Sequence, residues 1–247
     1  MINQSQVICN WFDVEKSELE KSTKIALVVG NSNYESINKL RNPINDAKLM
    51  EKTFLRLGFD TVIYGHDLGY DLMKNKILEY NNLQKNYDIG FVYYAGHGLQ
   101  DDEGNAYLIP VDFKASDNLD GHSISVKKLS KLLSYNINNK NILILDACRS
   151  TYESTENFKK PSITEPVNLK MGFSTSYGKV ALDHPDLKNS MYTKTVSEKL
   201  LIPNLEIRDI FQSTWSVVYH ASKAKQSPAE YFGQMTNLLK VSSNECE

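Results

Sequence analysis

Apolar positions in this chain fall into short unbroken runs separated by stretches of helical period. Lys24 to Gly30 (KIALVVG) is apolar after its first residue and predicts a buried strand. Asn42 and Pro43 then supply a helix N-cap and a proline at the first helical position. Behind them Ile44, Ala47, Met50, Phe54 and Leu57 recur every three or four residues, and Gly58 ends the helix. Phe59 to Tyr64 predicts a second strand, and Tyr70, Met73, Ile77 and Tyr80 a second helix. Tyr87 to Ala95 (YDIGFVYYA) predicts a third strand, Asn105 to Val111 a small hairpin, and Val126 to Tyr135 a short helix. Asn141 to Ala147 (NILILDA) predicts a fourth strand.

Thr151 to Lys170 (TYESTENFKKPSITEPVNLK) breaks the alternation. It is polar, holds two prolines and has no period, so an exposed, mobile loop is expected. Met171 to Ser176 predicts a fifth strand, and Ser190 to Leu201 and Glu206 to Lys223 predict helices. The last of these carries Ile207, Ile210, Phe211, Thr214, Val218 and Ala221 on one face.

Near-continuous apolar strands alternating with amphipathic helices imply an α/β fold. The expectation is a three-layer sandwich, a mainly parallel sheet of about six strands with helices on both faces. The chain divides into an N-terminal extension (1–22), a part carrying the first four strands (23–150), the loop (151–170) and a final part (171–247). In open sheets of this kind, sites lie at the carboxyl ends of strands. The places to look are just after Gly30, Tyr64, Ala95, Ala147 and Ser176.

Two of those ends carry chemistry. The third strand runs into Gly96-His97-Gly98, and the fourth into Asp146-Ala147-Cys148-Arg149-Ser150. A thiol with an ordinary pKa of about 8.5 is only a few per cent thiolate near neutral pH. A neighbouring imidazole can take its proton, and attack on a peptide carbonyl then needs fixed N–H donors for the oxyanion. Glycines on both sides of His97 allow a sharp turn and close approach of substrate. The expected parts are Cys148 as nucleophile, His97 as general base, and the Gly98 and Cys148 N–H groups as oxyanion donors. Either residue alone is more often simply structural; the pair, at matching strand ends, is not.

The strings KIALVVGNSNY, LRNPINDAKLMEKTFLRLGFD, FVYYAGHG, YLIPVD and NILILDACRS resemble the successive motifs of the caspase-like cysteine peptidases. The likeness is greatest to bacterial caspase homologues, paracaspases and metacaspases. It is strong over about residues 24–150 and weaker over 171–235. The caspase cysteine signature is Q-A-C-[RQG]-G with the histidine about 50 residues upstream. Here the spacing agrees, while Asp146 replaces the glutamine and Ser150 the final glycine.

The resemblance implies a caspase-like sandwich and an endopeptidase with the His97–Cys148 dyad. It also implies a pocket for the residue before the cut. In paracaspases and metacaspases, acids at the positions of Asp46 and Asp146 line that pocket, so cleavage after Arg or Lys is expected. Asp183 lies where related chains carry a third acid. Arg41 is the rival feature, since a basic pocket would favour Asp instead. Without the resemblance, Asp46 reads as an acid in a helix's first turn, and Asp146 as a charge at a strand end. The loop after Cys148 lies where the family often cuts itself, at Lys159 or Lys170 here, because Lys160 precedes a proline. A catalytically idle binding module is the other class, and an intact His97 and Cys148 speak against it.

Composition narrows the rest. With 247 residues, 41% apolar, one well-buried domain is expected. A formal net charge of −2 gives no footprint for nucleic acid or an anionic membrane. No apolar run approaches a membrane span and the start lacks a secretory pattern, so the cytoplasm is the expected compartment. Cys9, Cys148 and Cys246 are too few and too scattered for a disulfide framework. Asp101, Asp102, Glu103 and Asp112 read as a solvated turn rather than a calcium site, and no Cys/His spacing suggests zinc. VVGNSNY is not a phosphate loop; Asn31 and Tyr34 are expected in turn geometry, and Trp11 and Trp215 in packing. No cofactor or metal is expected. The expected partners are protein substrates and a regulatory or sensor protein acting on a monomer or homodimer. By family analogy the setting is bacterial regulated proteolysis, defence or cell death.

Overall fold

The computed structural model describes residues 22–135, 139–148, 150–151, 168–176 and 187–232. Lys159, Asp183 and Trp11 lie outside them. In chain order the elements are β1 (Lys24–Gly30), α1 (Pro43–Arg56), β2 (Thr61–His66), α2 (Tyr70–Gln84), β3 (Ile89–Gly96), β4 (Gly98–Gln100) and β5 (Ala106–Leu108). Then come α3 (Leu119–His122), β6 (Ile124–Ser125), α4 (Val126–Leu133), β7 (Lys140–Ala147) and β8 (Ser150–Thr151). The chain continues with β9 (Leu169–Phe173), α5 (Met191–Leu200), α6 (Ile207–Ala221) and β10 (Ala229–Phe232).

Six strands form the main sheet in the order β10-β9-β7-β3-β1-β2. All neighbours pair in parallel except β10, which closes one edge antiparallel to β9. Because successive side chains on a strand point to opposite faces, the apolar runs feed two cores at once. Ala26, Val28, Phe91, Tyr93, Ile142 and Ile144 face α1, α5 and α6. Ile25, Leu27, Val29, Val92, Leu143 and Leu145 face α2 and α4. Burying both faces requires runs without polar interruption, as β1, β3 and β7 have. The result is the three-layer α/β sandwich expected from the pattern.

A second, four-stranded sheet in the order β6-β5-β4-β8 packs at the carboxyl rim of the first. The hairpin expected within Asn105 to Val111 is not formed there: that stretch holds only β5, whose antiparallel partner is β4, starting at Gly98. The fifth strand of the main sheet is also displaced. Lys170 and Leu169 belong to β9, where Lys170 sits opposite Ile142 on one side and Phe232 on the other. It is buried, not part of an exposed loop. Its strand is held by hydrogen bonds on both flanks, which corrects its assignment to the mobile segment.

Asn42 differs from expectation too. Its backbone is already helical (φ −91°, ψ −29°) and its side chain makes no capping hydrogen bond. A side-chain cap needs an extended residue at that position. Ser32 Oγ takes the Ile44 N–H instead, at 3.3 Å.

Candidate active site

Strands β3 and β7 run side by side, with Ala95 opposite Asp146 and Gly96 opposite Ala147. His97 and Cys148 each stand one residue beyond the last pair. Parallel neighbours are about 4.8 Å apart, so imidazole and thiol leave the sheet at one rim, both partly exposed. The backbone behind them is tight. A methyl group at Gly98 would stand 2.4 Å from the Cys148 carbonyl oxygen and 3.0 Å from the Ala147 Cβ. At Gly96 (φ +156°) it would stand 2.5 Å from Tyr94 Oη and 2.6 Å from Tyr34 Oη. Only glycine lets the chain pass between these groups.

The His97 ring is oriented by backbone and by two buried tyrosines. Its Nε2 lies 2.7 Å from the Asn38 carbonyl oxygen. A carbonyl only accepts, so Nε2 carries the proton and Nδ1 is the basic nitrogen of the neutral ring. Tyr34 packs edge-on against the imidazole, centroids 4.5 Å apart. Tyr34 Oη also accepts the His97 backbone N–H at 2.7 Å, and Tyr94 Oη donates to the His97 carbonyl at 2.9 Å. Burial pushes both phenols well above their usual pKa, so they stay protonated donors.

Asn31, whose amide bonds Leu68 and Ile109 backbone, ties the end of β1 to the neighbouring loops. Asn31 and Tyr34 are thus buried supports of the rim rather than turn residues. Sequence reasoning missed Tyr34, Tyr94 and the Asn38 carbonyl as positioning groups. The only available signal for Tyr34 was its place three residues after an Asn at a strand end.

A small pocket opens beside Cys148, lined by Leu40, Pro43, Gly96, Asp46, Asp146 and Ser190 among others. Asp46 and Asp146 are both buried there, which removes the reading of Asp46 as an exposed first-turn acid. Asp46 Oδ1 accepts the Ser190 backbone N–H and the Asn189 side-chain amide, each at 2.9 Å. Asp146 Oδ2 accepts the Ser190 hydroxyl at short range and the Thr193 hydroxyl at 2.6 Å. Ser190 is also the N-cap of α5, taking the Thr193 N–H at 2.9 Å. Desolvation raises the Asp146 pKa, against the pull of the Ser190 and Thr193 hydroxyls. Negative charge is therefore costly at the pocket's floor. Arg41 is exposed and is not among the described residues lining it.

Asp101 and Asp112 have structural partners. Asp101 accepts from the N–H groups of Glu103 and Asn105 and from Tyr107 Oη, organising the β4–β5 turn. Asp112 accepts the Tyr70 N–H at the start of α2, at 3.0 Å. Among the described residues no helix is long and apolar enough to cross a membrane.

A thiol and an imidazole emerging together from a parallel sheet with helices on both faces define a caspase-type cysteine peptidase fold. The chain belongs to the caspase family: the caspase-domain model matches residues 23–240. It is similar to human mucosa-associated lymphoid tissue lymphoma translocation protein 1, 28% identical over 181 residues, covering 72% of this chain and 22% of that protein. It is also similar to the protein named Paracaspase of Dictyostelium discoideum, 26% identical over 212 residues, covering 80% of this chain and 49% of that one. The chain thus spans half or less of the length of these curated relatives.

Proposed function

We propose that the protein is a cysteine endopeptidase that hydrolyses peptide bonds after Arg or Lys. His97 Nδ1 takes the Cys148 thiol proton, and the thiolate forms a bond to the scissile carbonyl carbon. The carbonyl electron pair moves onto oxygen, where the Gly98 and Cys148 N–H groups hold it. Collapse of that intermediate breaks the C–N bond, and the leaving amine takes the proton from the imidazolium. Water, deprotonated by His97, then cleaves the thioester and returns the thiol.

The observation that carries the specificity is the pair of buried carboxylates beside Cys148. A basic side chain entering the pocket meets anions already desolvated and fixed, so pairing offsets the cost of losing its own water. An aspartate side chain would add a third negative charge where burial already disfavours one. Asp183 is proposed as a further acid of the same pocket and Lys159 as the point of self-processing. Likeness to a protein named Paracaspase supports the reading.

A fluorogenic panel ending in Arg, Lys or Asp, run with wild type and Cys148→Ala, is the test. Expected is turnover of the Arg and Lys substrates at least about 100-fold above Asp, a gap of roughly 3 kcal/mol, and none with Cys148→Ala. Preferential turnover after Asp would overturn the specificity, and equal activity of Cys148→Ala would overturn the mechanism.

A further inference from the structure

A second cavity lies between α6 and the edge strand β10, with Tyr192 of α5 in its wall. Its volume is about 550 Å³ and its walls include Phe211, Trp215, Pro228 and Ala229. Besides Gln212 and Ser216, two lining residues carry buried polar atoms without a partner. Tyr192 is only 2% exposed, and its Oη is buried without a hydrogen-bond partner. Glu230 Oε2 is likewise buried and unpartnered, although Arg208 acts on the carboxylate electrostatically. Trp215 is 41% exposed at the mouth and stacks on Tyr219, with ring centroids 4.9 Å apart and an interplanar angle of 14°. The stacking is the packing expected of Trp215, and its Nε1 donates to Ser227 Oγ at 3.2 Å.

Buried polar atoms in native proteins are almost always satisfied, so two orphans on residues of one cavity wall call for an occupant. We propose that this cavity binds a small organic cation, an ammonium group on an apolar or aromatic body. The ammonium hydrogen-bonds Glu230 Oε2 and Tyr192 Oη, and the body fills the space against Phe211 and Trp215. Charge decides the sign: a carboxylate oxygen can only accept, and losing water there raises the Glu230 pKa. Aromatic walls favour a cation further. Size decides between a free molecule and a single side chain of a partner. The volume falls within the ~300–1,000 Å³ typical of small-molecule sites. Gly172 on β9 makes room for the floor, since a methyl group there would meet the Phe211 ring at 2.7 Å and Tyr192 Oη at 2.8 Å.

The probe is 2-phenylethylamine, with 2-phenylethanol as its neutral counterpart, titrated into the full Cys148→Ala chain while tryptophan fluorescence is followed. Expected is a saturable response at millimolar amine or below, with the alcohol binding at least about tenfold more weakly. Glu230→Gln, which removes the charge and keeps the shape of the side chain, is expected to bring the amine down to the alcohol's affinity while melting within a few degrees of its parent. Trp215→Phe should abolish the signal while calorimetry still detects the amine. Equal binding of amine and alcohol, undiminished amine binding by Glu230→Gln, a signal that survives Trp215→Phe, or no saturable binding at all would each overturn the site.

Discussion

The carboxylates of Asp46 and Asp146, a hundred positions apart in the chain, hold the same residue. Ser190 gives its backbone N–H to Asp46 and its hydroxyl to Asp146. One residue at the N-terminus of α5 thus fixes two acids from α1 and β7, and with them the floor of the pocket beside Cys148.

Ser190→Ala tests that coupling. It removes the hydroxyl bond to Asp146 and the cap of α5, while the N–H to Asp46 remains. The expected cost in stability is about 1–2 kcal/mol, seen in denaturant melts. The expected loss in kcat/KM for Arg and Lys substrates is about tenfold, carried mainly by KM because the acids rather than the dyad are disturbed. A loss confined to kcat would place Ser190 elsewhere in the mechanism.

Asp146 gives a pH signature. Burial raises its pKa, so the folded chain holds this proton more tightly than the unfolded chain, whose value is near 3.9. The stabilisation from that proton is complete below the unfolded value and is lost as pH rises through the folded one. Asp146→Asn mimics the protonated group at every pH. It should therefore melt no lower than wild type near neutral pH, with its advantage shrinking as the medium is acidified. Its preference for Arg and Lys over neutral residues should fall at least about tenfold. Melting curves across the acid range check the first expectation, and the substrate panel checks the second.

Tyr34→Phe keeps the ring against His97 and removes the oxygen that accepts the His97 N–H. A buried donor left without a partner costs about 1–3 kcal/mol. Because the imidazole is displaced and the acidic pocket is not, kcat should fall roughly tenfold with KM nearly unchanged. A fall in KM-dependent binding alone would contradict this assignment.

The apolar runs made the main sheet legible. β1, β3 and β7 must be apolar throughout because both of their faces are covered, and that lack of alternation is a strong local signal. The same signal located His97 and Cys148, since each follows such a run. What the pattern could not show was long-range. β10 is four residues of mixed character (AEYF) whose strand identity comes from pairing with β9. Ser190 looked like an ordinary helix start, and nothing near it in sequence points to Asp46 or Asp146. Local chemistry assigns Lys170 to the loop, because it is charged and follows polar residues. Pairing on both sides overrides that local preference.

That placement predicts the fate of the chain on incubation. Proteases bind substrate as a single extended strand, and β9 offers its backbone to β7 and β10 instead. Limited trypsin digestion of folded Cys148→Ala, read by mass spectrometry, should leave the Lys170–Met171 bond intact. Self-processing of wild type should likewise avoid it. Prominent early cleavage there would show that β9 leaves the sheet.

Every step of the proposed hydrolysis depends on His97 governing the ionisation of Cys148. Its most direct test is the rate of Cys148 alkylation by iodoacetamide against pH, read by peptide mass spectrometry, in wild type and His97→Ala. Wild type should react well below the ordinary thiol value of about 8.5, and the variant should return to it or above. Superimposable pH profiles for the two proteins would contradict the dyad.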